Sequence, residues 1–470
     1  MLQSAFSDPA RPIVCVQGLG FVGAAMAVSI ASARDANGLP VFNVIGVDIP
    51  VPYGLASIAA LNEGRFPSAT NDAKLKSATR AAHENGTLVA TSDESAYHLA
   101  EVIVCDINLD LADDKLVPDV CFEGFEAGIR TIGRNMRPGA LIIVETTVPP
   151  GTCARVAAPA LADELDRRGE DPDAFLLAHS FERVMPGADY FDSIINFWRV
   201  YAGHTPVAAV ACRAFLEKVI NTKDFPLMEL GSITASETTK VMENSYRAVN
   251  IAFIEEWARF AEVVGIDLFE VIGAIRQRPT HSNIRQPGFG VGGYCLTKDP
   301  LFAKVAARRL FGREDIHFPF CERAVAVNDA MPLVSLQRLD DMLGGLRGKR
   351  IALFGVSYRQ DVGDTRYSPS ETFARAAAER GAVISAHDPM VARWEEMAMQ
   401  LDSAPPAAAD IDAAAFAVPH REYREMDLVA WAGDATPAVL DCNDVLSQKQ
   451  RSALRALGCR VESIGIGTEK

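Results

Sequence analysis

Short apolar runs recur along the chain, separated by longer stretches of helical period. Residues 12–18 (Pro-Ile-Val-Cys-Val-Gln-Gly) read as a buried strand and residues 43–48 (Asn-Val-Ile-Gly-Val-Asp) as a second. Runs at 87–90, 102–105, 141–145, 175–178 and 199–202 are further strand candidates. Helical character fills 19–33 and 208–220, and strands alternating with helices indicate a parallel sheet with helices on both faces.

Residues 234–264 break this rhythm. They form a helical stretch without Gly or Pro, with Val241, Tyr246, Ala248, Val249, Ala252, Phe253, Trp257 and Phe260 set among charges. It exceeds the usual globular helix, so it joins two domains or forms a dimer face. A helical middle region follows to about residue 330. Met331-Pro332 and the glycine-rich stretch 344–348 mark a boundary. A second strand-and-turn unit starts at 350–355 and continues through 383–388, 414–418, 428–431 and 439–441. The expected domains are 1–225, 226–330 and 331–470.

Composition narrows the class. The chain has 470 residues, 49% hydrophobic and 23% charged, which suits a soluble multidomain protein. A net charge of −15 argues against nucleic acid or an anionic membrane as partner. The nine cysteines are scattered, without a Cys-x-x-Cys pair, and no His-x-His cluster accompanies them. Free thiols in a reducing cytoplasm fit this better than disulfides, and no metal site is expected. The N-terminus has no basic start followed by an apolar run, so no signal peptide is read there. No apolar stretch reaches the roughly 18 residues that span a bilayer.

The candidate chemistry lies in a few motifs. Gly18-Leu-Gly20-Phe21-Val22-Gly23 follows a strand and opens a helix. In that context Gly18 permits the turn, Gly20 lets the helix N-terminus meet a pyrophosphate, and Gly23 permits close helix–strand packing. Asp48 ends the next strand, where a carboxylate accepts ribose hydroxyls and disfavours a 2′-phosphate, so NAD is the expected cofactor. Gln-Pro-Gly-Phe-Gly-Val-Gly-Gly-Tyr-Cys-Leu-Thr-Lys-Asp-Pro (286–300) places Cys295 after Gly288, Gly290, Gly292 and Gly293, and before Lys298 and Asp299. A packed thiol and a nucleophile both fit Cys295. Lys240 and Asn244 share a helix face, which on spacing alone is also what a solvated charged face has. Glu145-Thr-Thr-Val-Pro-Pro-Gly-Thr152, which contains Thr147, closes a strand at the carboxyl edge of the first sheet. Glu182 and the Arg359 to Arg366 loop complete the set.

In this order the motifs resemble the UDP-glucose/GDP-mannose dehydrogenase family of nucleotide-sugar 6-dehydrogenases, over nearly the whole chain. The resemblance implies an α/β fold of two Rossmann-like doubly wound domains, joined by a long helix and a helical middle domain that dimerises. The first domain binds NAD, with Gly18, Gly20, Phe21, Val22, Gly23, Asp48, Thr147 and Lys298 at the cofactor. The last holds the nucleotide of a UDP-sugar, with Gly288, Gly290, Gly292, Gly293, Arg359 and Arg366 toward the substrate. Cys295 becomes the nucleophile of a four-electron oxidation at C6, through a thiohemiacetal and a thioester. Lys240 and Asn244 stabilise oxyanions or hold water, Asp299 and Thr147 place the water, and Glu182 serves acid–base work. The implied setting is a cytoplasmic homodimer or higher homo-oligomer in polysaccharide biosynthesis.

Departures from the family pattern bear on the sugar. Pro186 stands where many UDP-glucose members have a second glutamate, and Phe-Glu-Arg-Val-Met-Pro-Gly looks more like the branch acting on UDP-N-acetylhexosamines such as UDP-N-acetylmannosamine. Tyr294 replaces a frequent His, Ser180-Phe181 a usual Pro, and Arg359 a common lysine. Arg276, Arg278 and Arg285 are alternatives for the arginine that crosses to a neighbouring subunit in this family. The competing readings are a UDP-glucose 6-dehydrogenase, a two-domain 3-hydroxyacid dehydrogenase and a catalytically silent nucleotide-binding protein. The second would need neither Cys295 nor the second α/β domain.

Overall fold

The computed structural model describes residues 2–112, 118–184, 187 and 189–467. It divides the chain into two compact units: residues 1–242 with 301–317, and residues 243–300 with 318–470.

The first unit is built on an eight-stranded sheet. Its strands are β1 (Ile13–Gln17), β2 (Asn43–Val47), β3 (Leu88–Thr91), β4 (Val102–Cys105), β5 (Leu141–Val144), β6 (Leu176–His179), β7 (Val200–Gly203) and β8 (Met228–Glu229). Their order is β3-β2-β1-β4-β5-β6-β7-β8. The β6–β7 pair is antiparallel, and the other neighbours run parallel. The apolar runs are continuous because both faces are covered. Successive residues serve opposite cores: Ile13, Cys15, Ile103, Cys105, Ile142 and Val144 face one cluster, Val14, Val16, Val104, Leu141 and Ile143 the other. The doubly wound order 3-2-1-4-5-6 puts ligands at the carboxyl edge, where crossovers diverge on either side of β1.

The second unit has a parallel sheet of β9 (Arg350–Phe354), β10 (Val383–His387), β13 (Ala413–Phe416), β14 (Ala438–Asp441) and β15 (Val461–Ser463), beside a hairpin of β11 (Arg393–Trp394) and β12 (Met399–Gln400). The order is β10-β9-β13-β14-β15, again with alternate residues in two cores. This sheet too is doubly wound, so the chain has the two Rossmann-like domains expected of it.

The long helix is Ile233–Val264. It begins in the first unit and continues into the second. Two local expectations are corrected. Met331-Pro332 does not end an element: helix Pro319–Leu343 runs through it, and the expected limit at 331 falls inside that helix. Pro332 cannot donate to the carbonyl of Asn328 four residues earlier, and the Asn328 side chain is occupied with the Val291 backbone instead (2.8 Å in each direction). The helix ends at Gly344, where a φ of +65° suits glycine. Residues 428–431 lie in a short helix, Leu428–Ala432, because Asp427 caps it by accepting N–H bonds from Val429 and Ala430.

Each sheet closes its first turn with a carboxylate from its second strand. Asp48 accepts the Leu19 N–H at 2.8 Å. Asp388 accepts Val356 N–H (2.8 Å), Ser357 N–H (3.0 Å) and Ser357 O–H (2.5 Å), with His420 Nε2 at 3.1 Å. Burial raises the Asp388 pKa, but His420 and Ser357 outweigh it and hold the carboxyl below its usual value. The stability it supplies is therefore full above the ordinary carboxylate pKa of about 4 and falls away as pH drops through the lowered native value. Asp388→Asn is expected to destabilise the second unit by on the order of 2–3 kcal/mol at pH 7, measured by urea unfolding, with the difference from wild type shrinking as pH falls below about 4.

Candidate active site

The glycine turn after β1 is shaped by hard contacts. Gly18 has φ +87°, and a Cβ there would stand 2.7 Å from the Asp106 carbonyl oxygen. A Cβ at Gly23 would lie 1.9 Å from the Gly18 carbonyl oxygen. Gly20 caps helix Phe21–Ala31 without a side-chain bond, and a Cβ on Gly20 would meet nothing within 4 Å. The first turn of that helix, with Phe21 and Val22, carries no acidic residue. An uncapped N-terminus facing open space is what a pyrophosphate requires. Asp48 also accepts the Ile49 N–H at 2.8 Å, one backbone donor on each oxygen. Each carboxylate oxygen has a further lone pair for ribose hydroxyls. These residues fit NAD.

At the same edge, beyond β6, Lys240 reaches the Glu182 loop. Its Nζ donates to the Glu182 carbonyl at 2.8 Å and lies 3.7 Å from Glu182 Oε1. Lys240 is 6% exposed, so this pair is shielded from water. Glu182 also accepts the Val184 N–H. Thr147 is half-buried in the loop after β5. Pro186 lies outside the described residues.

Asn244, four residues after Lys240 on the same continuous helix, belongs to the second unit. Its Nδ2 donates to Asp299 Oδ2 at 2.7 Å. The Asp299 N–H in turn donates to the Cys295 carbonyl at 3.0 Å, so Asn244, Asp299 and Cys295 form one linked group. Cys295 is exposed, whereas Asp299 is 1% exposed. Lys298 Nζ lies 5.5 Å from the centre of the Tyr294 ring. The Arg366 guanidinium lies 4.8 Å from the centre of the same ring, donates to the Tyr294 hydroxyl at 3.2 Å, and is itself forked onto Asp364. Arg359 is exposed.

The loop glycines are set by packing. A Cβ on Gly288 would stand 2.5 Å from Asn443 Oδ1, on Gly290 3.1 Å from the Asn328 carbonyl, on Gly292 2.3 Å from the Tyr367 carbonyl, and on Gly293 3.0 Å from the Tyr358 ring. The protein itself fills these places, so the glycines let the loop pack on its own unit.

Some charged groups escaped the sequence reading. Arg247, three residues beyond Asn244, has its pKa lowered by desolvation and by the charges of Arg285 and Arg359, with Cys295 acting in the opposite sense. Among the described residues no salt bridge joins these three arginines to a carboxylate. Arg276 donates to the Ile284 carbonyl (2.8 Å) and is not part of this group. In the first unit a buried ion pair joins Arg199 to Glu145. Burial and the charges of Glu145 and Glu182 push the neighbouring Asp106 carboxyl well up. The i, i+3 step from Asn244 to Arg247, and an Asp ending an otherwise apolar strand at 106, were the available signals.

A glycine turn fitted to NAD, a second doubly wound domain and an exposed thiol linked to Asn244 and Asp299 define a nucleotide-dependent dehydrogenase. Residues 13–219, 234–330 and 352–448 match the NAD binding, central and UDP binding domains of the UDP-glucose/GDP-mannose dehydrogenase family, and the chain belongs to that family. It is 29% identical to the UDP-N-acetyl-D-mannosamine dehydrogenase of Methanocaldococcus jannaschii, over 88% of this chain and 87% of that one. It is 28% identical to the NDP-N-acetyl-D-galactosaminuronic acid dehydrogenase of Ralstonia nicotianae, over 88% and 92%. Among solved structures, the UDP-D-ManNAc dehydrogenase of Pyrococcus horikoshii superposes with a TM-score of 0.81 at 25% identity, covering 96% of this chain and 99% of that one. A UDP-glucose dehydrogenase from Pyrobaculum islandicum gives 0.79 at 25% identity, covering 98% and 97%.

The turn yields a direct test. Gly23→Ala forces a Cβ into the Gly18 carbonyl, an overpacking of about 1–3 kcal/mol. Calorimetric titration should find NAD bound about tenfold or more weaker, with the unfolding of the second unit unchanged.

Proposed function

We propose that the chain is an NAD-dependent UDP-sugar 6-dehydrogenase whose substrate is a UDP-N-acetylhexosamine, oxidised at C6 to the uronic acid. The linked group of Cys295, Asp299 and Asn244, with an exposed thiol, carries this reading. NAD, bound at the glycine turn, supplies the hydride acceptor for both oxidations.

The residues divide the work as follows. Oxidation of the C6 alcohol leaves an aldehyde and releases the hydroxyl proton, which Glu182 or water takes up. The Cys295 thiolate adds to the aldehyde carbon, forming a C–S bond and a thiohemiacetal. Lys240 and Asn244 offset the negative charge that develops on oxygen. The second oxidation leaves a thioester on Cys295. Water, with Thr147 and Asp299 as its positioning residues, adds to it, the C–S bond breaks, the carboxylate and the thiolate are released, and the two protons of the water pass to solvent. Covalent capture keeps the aldehyde in the site and divides the four-electron change into separate steps.

Arg247, Arg285 and Arg359 support an anionic substrate, since guanidinium groups bind phosphate. Arg285, rather than Arg276 or Arg278, is our assignment for the arginine directed at the nucleotide. The names of the relatives from M. jannaschii and R. nicotianae support an N-acetylhexosamine. The nine cysteines, none of them in a disulfide, support a reducing cytoplasm. No helix among the described residues is long and apolar enough to cross a membrane.

We also infer a homodimer formed through the long helix. Tyr246 (55%), Phe253 (50%), Trp257 (47%) and Phe260 (52%) stay exposed on it, with the Phe253, Trp257 and Phe260 rings in contact, and grouped exposed apolar side chains mark interaction surfaces. Light scattering should find a dimer, and Trp257→Glu a monomer.

Two assays test the chemistry. Given NAD and UDP-activated N-acetylmannosamine, N-acetylglucosamine, N-acetylgalactosamine or glucose, or GDP-mannose, kcat/KM is expected to be highest for an N-acetylhexosamine. A preference for UDP-glucose would move the assignment to that sugar. Cys295→Ala should lower uronate formation by about three orders of magnitude or more with NAD binding intact, and full uronate production would remove Cys295 as nucleophile.

A further inference from the structure

Two helices start at the carboxyl edge of the first sheet with their N–H groups pointing outward. They are finished differently. Helix Phe21–Ala31 has no side chain on its N-terminus. The π-helical turn Cys153–Ala157, which follows β5 and continues into helix Ala158–Arg167, takes no side-chain bond from its own Thr152. Its start is bonded by Glu237 from the long helix. Oε2 accepts the Gly151 N–H at 2.5 Å and Oε1 accepts the Cys153 N–H at 2.7 Å. Glu237 is fully buried, so both bonds are closed to water. A carboxylate more than 80 residues away in sequence thus holds the place that an anion takes on the first helix.

Neighbouring residues on the long helix make parallel attachments. The Ser236 hydroxyl meets His179 Nδ1 at 2.8 Å, and Lys240 Nζ meets the Glu182 carbonyl at 2.8 Å. The first turns of the helix are tied to the ends of β5 and β6 by side chains at 236, 237 and 240. Lys240 follows Glu237 by three residues, on one helix face. Thr147 precedes Gly151 by four residues in the clamped loop. The Glu237 carboxyl therefore connects the loop that carries Thr147 to the turn that carries Lys240. The reaction chemistry itself assigns Glu237 nothing, and an Asp or Ser at 152 would suffice as a cap.

We propose that Glu237 is a positioning residue of the dehydrogenase: its carboxylate fixes the Thr147–Gly151 loop against the Lys240 turn, and so sets where the hydrolytic water stands relative to the lysine amine. This rests on the roles given above to Thr147 and Lys240. Burial raises the Glu237 pKa to about 7 despite its two N–H donors. Cys153 on the clamped loop has its own pKa pushed well up by burial and by Glu237. His179, behind Ser236, is lowered to about 3 by burial and stays neutral. Lys240 and Glu182 complete the charged surroundings. Glu237 therefore changes charge near neutrality. Protonated, it keeps a good acceptor for one N–H and loses one for the other, so the clamp is complete on the alkaline side.

The experiment is rapid-quench turnover of the full chain with NAD and its best UDP-sugar, following NADH and the acyl-enzyme separately across pH. Glu237→Gln places an amide N–H₂ against a backbone N–H. Acyl-enzyme hydrolysis is expected to slow by about ten- to a hundredfold, with the KM for NAD unchanged and the acid limb near pH 7 gone. Glu237→Asp should recover part of the rate and keep the limb. Hydrolysis at the wild-type rate in Glu237→Gln would overturn the proposal. Equal loss in every step, matching the folded fraction by circular dichroism in both variants, would reduce Glu237 to a structural cap. No NADH from the wild type with any UDP-sugar would instead defeat the parent reading, and this proposal with it.

Discussion

An unbroken helix is the constraint on which the rest depends. Ile233–Val264 runs without a break, and an α-helix cannot bend within one turn without losing hydrogen bonds. Each end of the step from Lys240 to Asn244 is attached to a different piece of chemistry. Lys240 is bonded to the Glu182 loop in the first unit, and Asn244 to Asp299 in the second. The helix is in turn secured at its start, where Ser236 and Glu237 bond His179 and the Gly151 and Cys153 amides. These attachments are to backbone and buried groups, which are costly to leave unsatisfied. They resist displacement more than surface ion pairs would.

Much of the architecture was legible because the strands are buried on both faces. An apolar run such as Ile13–Gln17 has little other use in a soluble chain, and the helices between runs prescribe parallel strands. The errors came where a local signal had a tertiary answer. Pro332 reads as a break, yet the helix passes through it, with Asn328 turned to other bonds. Residues 428–431 read as another apolar stretch of the sheet, but Asp427 caps them into a helix. The five-stranded sheet instead ends on Val461–Ser463, a run too short to stand out.

The site was legible in its motifs and opaque in its reasons. The glycines near Cys295 mark a close approach of backbone, and the groups that approach them, Asn443, Tyr367 and Tyr358, are distant in sequence. Lys240 with Asn244 passed on spacing for a solvated face, because i, i+4 spacing gives direction and not burial. Glu237 and Arg247 flank this pair on the same helix and look like more of the same surface charge. Only the fold buries Glu237 against two amides and gathers Arg247 with Arg285 and Arg359. The turn after β9 is also explained only by the fold. Its N–H groups at 356 and 357 are spent on Asp388, and helix Pro369–Glu379 starts well downstream with its own Ser368 cap. The second sheet therefore lacks the open helix start that the first presents to NAD.

The central claim is that one thiol-centred site carries an alcohol through an aldehyde to an acid without releasing the intermediate. The most direct measurement is the number of NADH formed per molecule of UDP-sugar consumed, taken to completion with limiting sugar and with an aldehyde trap present. The account predicts two NADH per sugar and no trapped aldehyde. One NADH per sugar, or aldehyde collected in the trap in proportion to turnover, would contradict it.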